Sequence, residues 1–348
     1  MDVALKYFKW PFIVTATGLI LSFWLGWNSG PGGMSPALSF LFVGIVLAIL
    51  EISLSFDNAI VNANKLKDMT PVWQRRFLTW GILIAVFGMR VVFPVLIVVV
   101  AARIGPIEAI WLAATDEAQY AAIINEAHPS IAAFGSTFLM MVGLKFFMNS
   151  EKDVHWIGGF ERWLNHFSSV RGFEVALVLV IVMIFSNFVP EGEELTFLTS
   201  AIYGLLTFLI VEVIGHLLDE QQAALSTAAK GGFGAFLYLE VLDASFSFDG
   251  VIGAFALTQN LFLIAIGLGI GAMYVRSMTI MLVERQTLAQ FRYLEHGAFY
   301  SILILSVIML IQTLHIHVPE VITGLLGAGF IATALWASIR YNRAALNK

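Results

Sequence analysis

Long, near-continuous apolar runs recur along this chain, without the two-residue alternation of a membrane barrel strand. Ten runs are of the order needed for a helix to cross hydrocarbon: 9–27, 36–64, 77–102, 129–148, 173–190, 195–217, 232–258, 261–283, 297–315 and 319–339. Only helices and closed barrels satisfy their backbone polar groups in lipid, so the pattern predicts an all-α polytopic transmembrane bundle of about ten spans. Pro190-Glu191-Gly192-Glu193-Glu194 reads as a short acidic turn between the fifth and sixth spans. The longest connections are 103–128, acidic and Ala-rich, and 149–172, which mixes charge with Trp and Phe.

Composition agrees. The chain is 59% hydrophobic and 12% charged, about half the charge of a soluble domain. It has no Cys, which excludes disulfides, thiolate metal ligands and Cys nucleophiles. The net charge of −5 gives no reason to expect nucleic acid, so the expected partners are the lipid bilayer and whatever the acids bind. The first apolar run is not followed by a small-x-small cleavage site and is read as a retained helix. With both termini in the cytoplasm, only Arg103 among the Lys and Arg residues falls outside, and Arg90 and Arg276 fall within spans. That bias favours the ten-span layout.

Two segments break the apolar pattern in the same way. Residues 51–58 read EISLSFDN and residues 243–250 read DASFSFDG. Aligned without gaps, both begin with an acid and share Ser-x-Ser-Phe-Asp. Each motif span is followed by a Gly-containing span with one buried Arg, Arg90 or Arg276. The first motif runs outside to inside and the second inside to outside, so the layout predicts an inverted repeat of two three-helix units. The expected divisions are an N-terminal helix (1–34), the first repeat (35–149), a cytoplasmic loop with two connecting helices (150–231), the inverted repeat (232–316) and a C-terminal helix with a basic tail (317–348). Inverted repeats with a midplane site are a recurrent transporter plan.

A carboxylate at mid-membrane costs at least ~2.5–3.5 kcal/mol and is by default a functional-site hypothesis. Here Glu51, Asp57, Asp243 and Asp249 recur symmetrically, with Glu240 one turn before Asp243. Ser55 and Ser53 share helix faces with Glu51 and Asp57, and Ser247 and Ser245 do so with Asp243 and Asp249. Six residues at 100° put Glu51 and Asp57 about 120° apart, so convergence requires both motif helices to bend or unwind. A structural ion-pair network with Arg90 and Arg276 would leave two of the acids unpaired. Carboxylate, hydroxyl, amide and carbonyl oxygens instead suit Mg²⁺, Ca²⁺ or Mn²⁺. Asn187, the Glu212/His216 pair and His315/His317 are weaker candidates, and the Trp residues near span ends read as interface belts.

Glu51-x-Ser-x-Ser-Phe-Asp57-Asn58-Ala59, with the second segment from Asp243 to Asp249, resembles the TerC family of tellurium-resistance membrane proteins in the LysE-type exporter superfamily. The likeness is closest to its divergent ten-span bacterial branch. It implies export of a metal cation, Mn²⁺ in the better understood members, with Glu51, Asp57, Asn58, Asp243 and Asp249 as ligands. It departs from the doubled pattern where Gly250 stands opposite Asn58. The expected protein is therefore a non-enzymatic transporter of the bacterial inner membrane with no resident cofactor, its divalent cation being cargo. Two alternatives stay open: export of a small cationic organic solute, and an intramembrane aspartyl-type enzyme, although no GxGD string is present.

Overall fold

The computed structural model describes residues 2–29, 33–67, 69–81, 84, 88, 92–149, 152, 154–167, 169–170, 172–225, 232–316 and 318–346. Among these, the side chains of residues 2–4, 53–54, 93, 100–101, 215–216, 218–225, 245, 247–249, 252–253, 255–256, 320–321 and 345–346 are outside the description. The described residues are helical, with no strand. In chain order the helices are α1 (Asp2–Asn28), α2 (Met34–Leu54), α3 (Phe56–Leu66), α4 (Pro71–Arg76) and a π-helical turn (Phe77–Gly81). They continue with α5 (Phe93–Ala102), α6 (Pro106–Thr115), α7 (Glu117–Phe147), α8 (Gly158–His166), α9 (Phe173–Phe185) and α10 (Glu194–Leu225). The last five are α11 (Phe233–Leu257), α12 (Leu261–Glu284), α13 (Thr287–Gln290), α14 (Leu294–Gln312) and α15 (Glu320–Leu346).

Among the described residues, seven segments are long and apolar enough to cross a membrane, and they lie in α1, α2, α7, α10, α12, α14 and α15. Three of the ten expected spans differ in kind. Run 77–102 begins with the π-helical turn and ends in α5. Run 173–190 contains α9, only 13 residues long, after which the chain turns. Run 232–258 is α11, whose Glu240, Asp243 and Asp249 make it more charged than an ordinary span.

Both long connections hold helices that hydropathy does not reveal. Residues 103–128 form α6 and the first turns of α7. Pro106 opens α6, where a missing N–H costs nothing. Asp116 then caps α7 by accepting the Gln119 N–H at 2.9 Å. The second connection contains α8.

The chain divides into two compact units. The first comprises Met1–Ala59, Pro71–His128 and Glu240–Met281; the second comprises Ile60–Thr70, Pro129–Leu239 and Leu282–Lys348. In the first unit Leu47, Val98, Ala113, Ile124, Val251 and Ile264 bring α2, α5, α6, α7, α11 and α12 into one buried cluster. The α2–α12 crossing is made by Gly267 and Gly271, one turn apart. A Cβ at Gly267 would overlap the Leu47 side chain, and one at Gly271 would overlap Glu51. Close backbone approach at paired small residues is how membrane helices pack when hydrophobic burial offers no net gain.

The second unit uses the same device. Gly204 of α10 sits against the Phe134 carbonyl of α7, and Thr137 donates to the Ala201 carbonyl at 2.8 Å. This unit also contains a buried acid that the sequence pattern did not single out. Glu161 of α8 accepts hydrogen bonds from the N–H groups of Ile157 (3.0 Å) and Trp156 (3.1 Å) and from Tyr300 Oη (3.1 Å). Its other oxygen meets Lys152 Nζ at 3.1 Å and His155 Nδ1 at 3.3 Å.

Candidate cation site

The first motif breaks as the phase argument requires. α2 ends at Leu54 and α3 begins at Phe56, with Ser55 between them at φ −100° and ψ 14°. Ser55 closes the end of α2: its N–H bonds the Glu51 carbonyl at 3.0 Å and its hydroxyl donates to Glu51 Oε1 at 3.0 Å. The break brings the negative end of the α2 dipole into the middle of an apolar stretch, where a cation is favoured. Asp57 lies in the first turn of α3, where the dipole favours a carboxylate, and its Oδ1 accepts the Asn58 N–H at 2.9 Å. Glu51, Asp57 and Asn58 are all buried.

The second motif does not break. α11 is helical through Asp243, Phe246 and Asp249 to Leu257, which corrects the expectation that both motif helices unwind. Gly250 has a different use from the one anticipated. A Cβ there would stand 2.9 Å from Glu51 Oε2, so the glycine leaves room for the carboxylate of the first motif. The missing side-chain ligand opposite Asn58 is thus the space that Glu51 occupies.

Glu240 is a third buried acid of this unit, at 7% exposure, and among the described residues neither of its oxygens has a hydrogen-bond partner. Gly81, which closes the π-helical turn, admits it: a Cβ there would lie 2.6 Å from Oε1. Asp243, half-buried, follows one turn later on α11. Asn58 Oδ1 is also buried with no hydrogen-bond partner among the described residues. A buried polar atom left unpaired costs about 1–3 kcal/mol, so each such atom calls for a partner, water or ion included.

Among the described residues, Arg276 has a backbone partner in place of the acid that the ion-pair reading expects. It is half-buried on α12 and gives its Nε–H to the Leu78 carbonyl at 3.0 Å, supporting the π-helical turn. Arg90 lies outside the described residues, as do the side chains of Ser53, Ser245, Ser247 and Asp249. Among the described residues, no three His, Cys, Asp or Glu side chains form a metal cage. The weaker candidates have local partners. Asn187 Nδ2 donates to the Met183 carbonyl at 2.8 Å, Glu212 pairs with Lys145 of α7, and His315 meets Glu193 at 2.9 Å at the surface. Sequence reading passed over Asn62, buried one turn after Asn58 on α3; the i, i+4 spacing of two amides in an apolar run was its signal.

The first unit thus contains Glu51, Asp57, Asn58, Glu240 and Asp243, oxygen donors suited to a hard cation and no thiol. Residues 56–345 match the family described as protein of unknown function, DUF475. The chain belongs to that family. The match takes in Asp57, Asn58 and the whole second motif, while Glu51 lies just before it. No curated protein and no solved structure matches the chain.

Proposed function

We propose that this DUF475 protein is a transporter that exports a divalent cation across the bacterial inner membrane, with Mn²⁺ as the favoured cargo. The observation that carries the proposal is Glu240: a buried carboxylate with no hydrogen-bond partner among the described residues, in the same compact unit as Glu51 and Asp57. Such a group is expensive unless something charged comes to it. The broken helix at Ser55 supports the same reading, because a helix C-terminus within an apolar stretch favours a cation. The TerC-like motif supports Mn²⁺ over Mg²⁺ and Ca²⁺. In this reading Glu51, Asp57, Asn58, Asp243 and Asp249 hold the ion, Glu240 and the motif serines assist, and protons move in the opposite direction to limit charge displacement. The distribution of Lys and Arg supports a cytoplasmic side for both termini.

The test is ion flux in proteoliposomes under an imposed pH gradient, comparing the wild type with Asp57→Asn, Glu240→Gln and Asp249→Asn. Saturable Mn²⁺ flux that falls at least tenfold in each variant is the expected result. Flux of an organic cation but no metal would move the assignment to a solute exporter. Peptide cleavage without flux, lost in both Asp variants, would assign an intramembrane enzyme.

A further inference from the structure

Helix α8 has three faces. At 100° per residue, Glu161 and Leu164 point into the protein and are buried. Phe160, Trp163 and Phe167 fall on an adjacent arc of about 60°. Arg162 and His166 lie about 60–100° beyond Trp163, both exposed. The aromatic arc is not covered by the protein: Phe160 is 42% and Trp163 54% exposed.

This arc is continuous with apolar helices at both ends. Phe160 contacts Phe147, the last residue of α7, with ring centroids 6.4 Å apart. Trp163 stacks on Phe160 at 6.5 Å and meets Phe167 at 5.4 Å. Phe167 then stacks on Phe173, the first residue of α9, at 4.4 Å and 5°. Beyond it, α9 exposes Leu179, Val180, Met183 and Ile184, an outward face suited to lipid tails. The aromatic strip therefore joins the end of one apolar helix to the start of another, and interfacial helices bury Trp and Phe at the headgroup–acyl boundary.

We propose that α8 is an interfacial helix, lying along the bilayer surface with Phe160, Trp163 and Phe167 in the headgroup–acyl boundary and Arg162 and His166 towards water. The amphipathic division matches helices that lie in the interface plane. Glu161 supplies the fixed mount. Its five hydrogen-bonding neighbours hold α8 to the 152–157 segment and to Tyr300 of α14, so the aromatic arc meets the lipid at a set angle. This inference rests on the membrane-spanning reading of the helices and is independent of which cargo is moved.

Because the chain has no Cys, single-cysteine variants take one label each. Phe160→Cys, Trp163→Cys and Arg162→Cys would be spin-labelled in lipid nanodiscs and relaxed by oxygen and by a water-soluble nickel chelate. Labels at 160 and 163 are expected to favour oxygen severalfold, and the label at 162 to favour nickel. Nickel access at all three positions would overturn the proposal in favour of an aqueous face. Shielding of 160 and 163 from both reagents would overturn it in favour of a protein partner, such as a second copy. A milder variant, Trp163→Phe, provides the second measurement. Brominated phospholipids should quench wild-type tryptophan emission more than that of the variant, and equal quenching of the two would also overturn the proposal.

Discussion

Glu161 and Glu240 are both carboxylates taken out of water, in different compact units, and their surroundings differ in kind. Glu161, at 0% exposure, is surrounded by donors on both oxygens. Glu240, at 7% exposure, has no hydrogen-bond partner among the described residues and another acid, Asp243, one turn away. Burial alone does not distinguish structure from function in a membrane-type protein, and the difference between these two acids lies in their donors. A saturated carboxylate holds neighbouring elements together, whereas the proposed function needs an unsaturated one that can take a ligand.

Replacement would break the comparison most directly. Glu161→Ala should destabilise the protein by about 3–5 kcal/mol, because it strands the Lys152 ammonium and two backbone N–H groups in a buried site. Thermal unfolding in detergent would register the loss. Glu240→Gln should do the opposite: flux falls at least tenfold, while unfolding shifts by no more than about 1 kcal/mol, since no hydrogen bond to another described residue is lost. If Glu240→Gln instead unfolds the protein and Glu161→Ala does not, the distinction between the two acids fails.

Smaller effects sharpen it. Gly250→Ala brings a methyl to 2.9 Å from Glu51 Oε2. It should raise the half-saturating ion concentration by about threefold, roughly 0.7 kcal/mol, with little change in folded yield. The pH response separates the acids further. Burial alone would raise the Glu161 carboxyl, but the Ile157 N–H, His296 and Lys152 outweigh it and hold it below the ordinary value of 4.5. A depressed folded-state pKa adds stability that is present above 4.5 and lost as pH falls towards the folded value. Hydrogen exchange at the Trp156 and Ile157 amides should therefore stay slow from neutral pH down to about 5 and quicken below that, after correction for intrinsic rates. Asp116→Ala, which removes one exposed cap, sets the bottom of the scale at about 1 kcal/mol in thermal unfolding.

Much of the molecule was legible from hydropathy because apolar runs must be long to cross hydrocarbon. The helix break at Ser55 was legible too, since helical phase would not let Glu51 and Asp57 share a face. The connections were less so. α6 and the first turns of α7 are Ala-rich and mildly polar, so length and hydropathy hid helices that capping at Asp116 and Pro106 would have revealed. α8 escaped because its apolar residues cover only part of its surface.

The sequence by itself determined the helical class, the two acidic segments and the absence of thiol chemistry, each following from residue types and local periodicity. Tertiary structure alone decided that Gly250 makes room for Glu51, that Gly81 does so for Glu240, and that Arg276 supports a π-helical carbonyl. It also decided that Glu161 is satisfied and that Glu240 has no hydrogen-bond partner among the described residues. Those outcomes depend on which distant backbones approach closely enough to supply or withhold a hydrogen bond, and no local pattern carries that information.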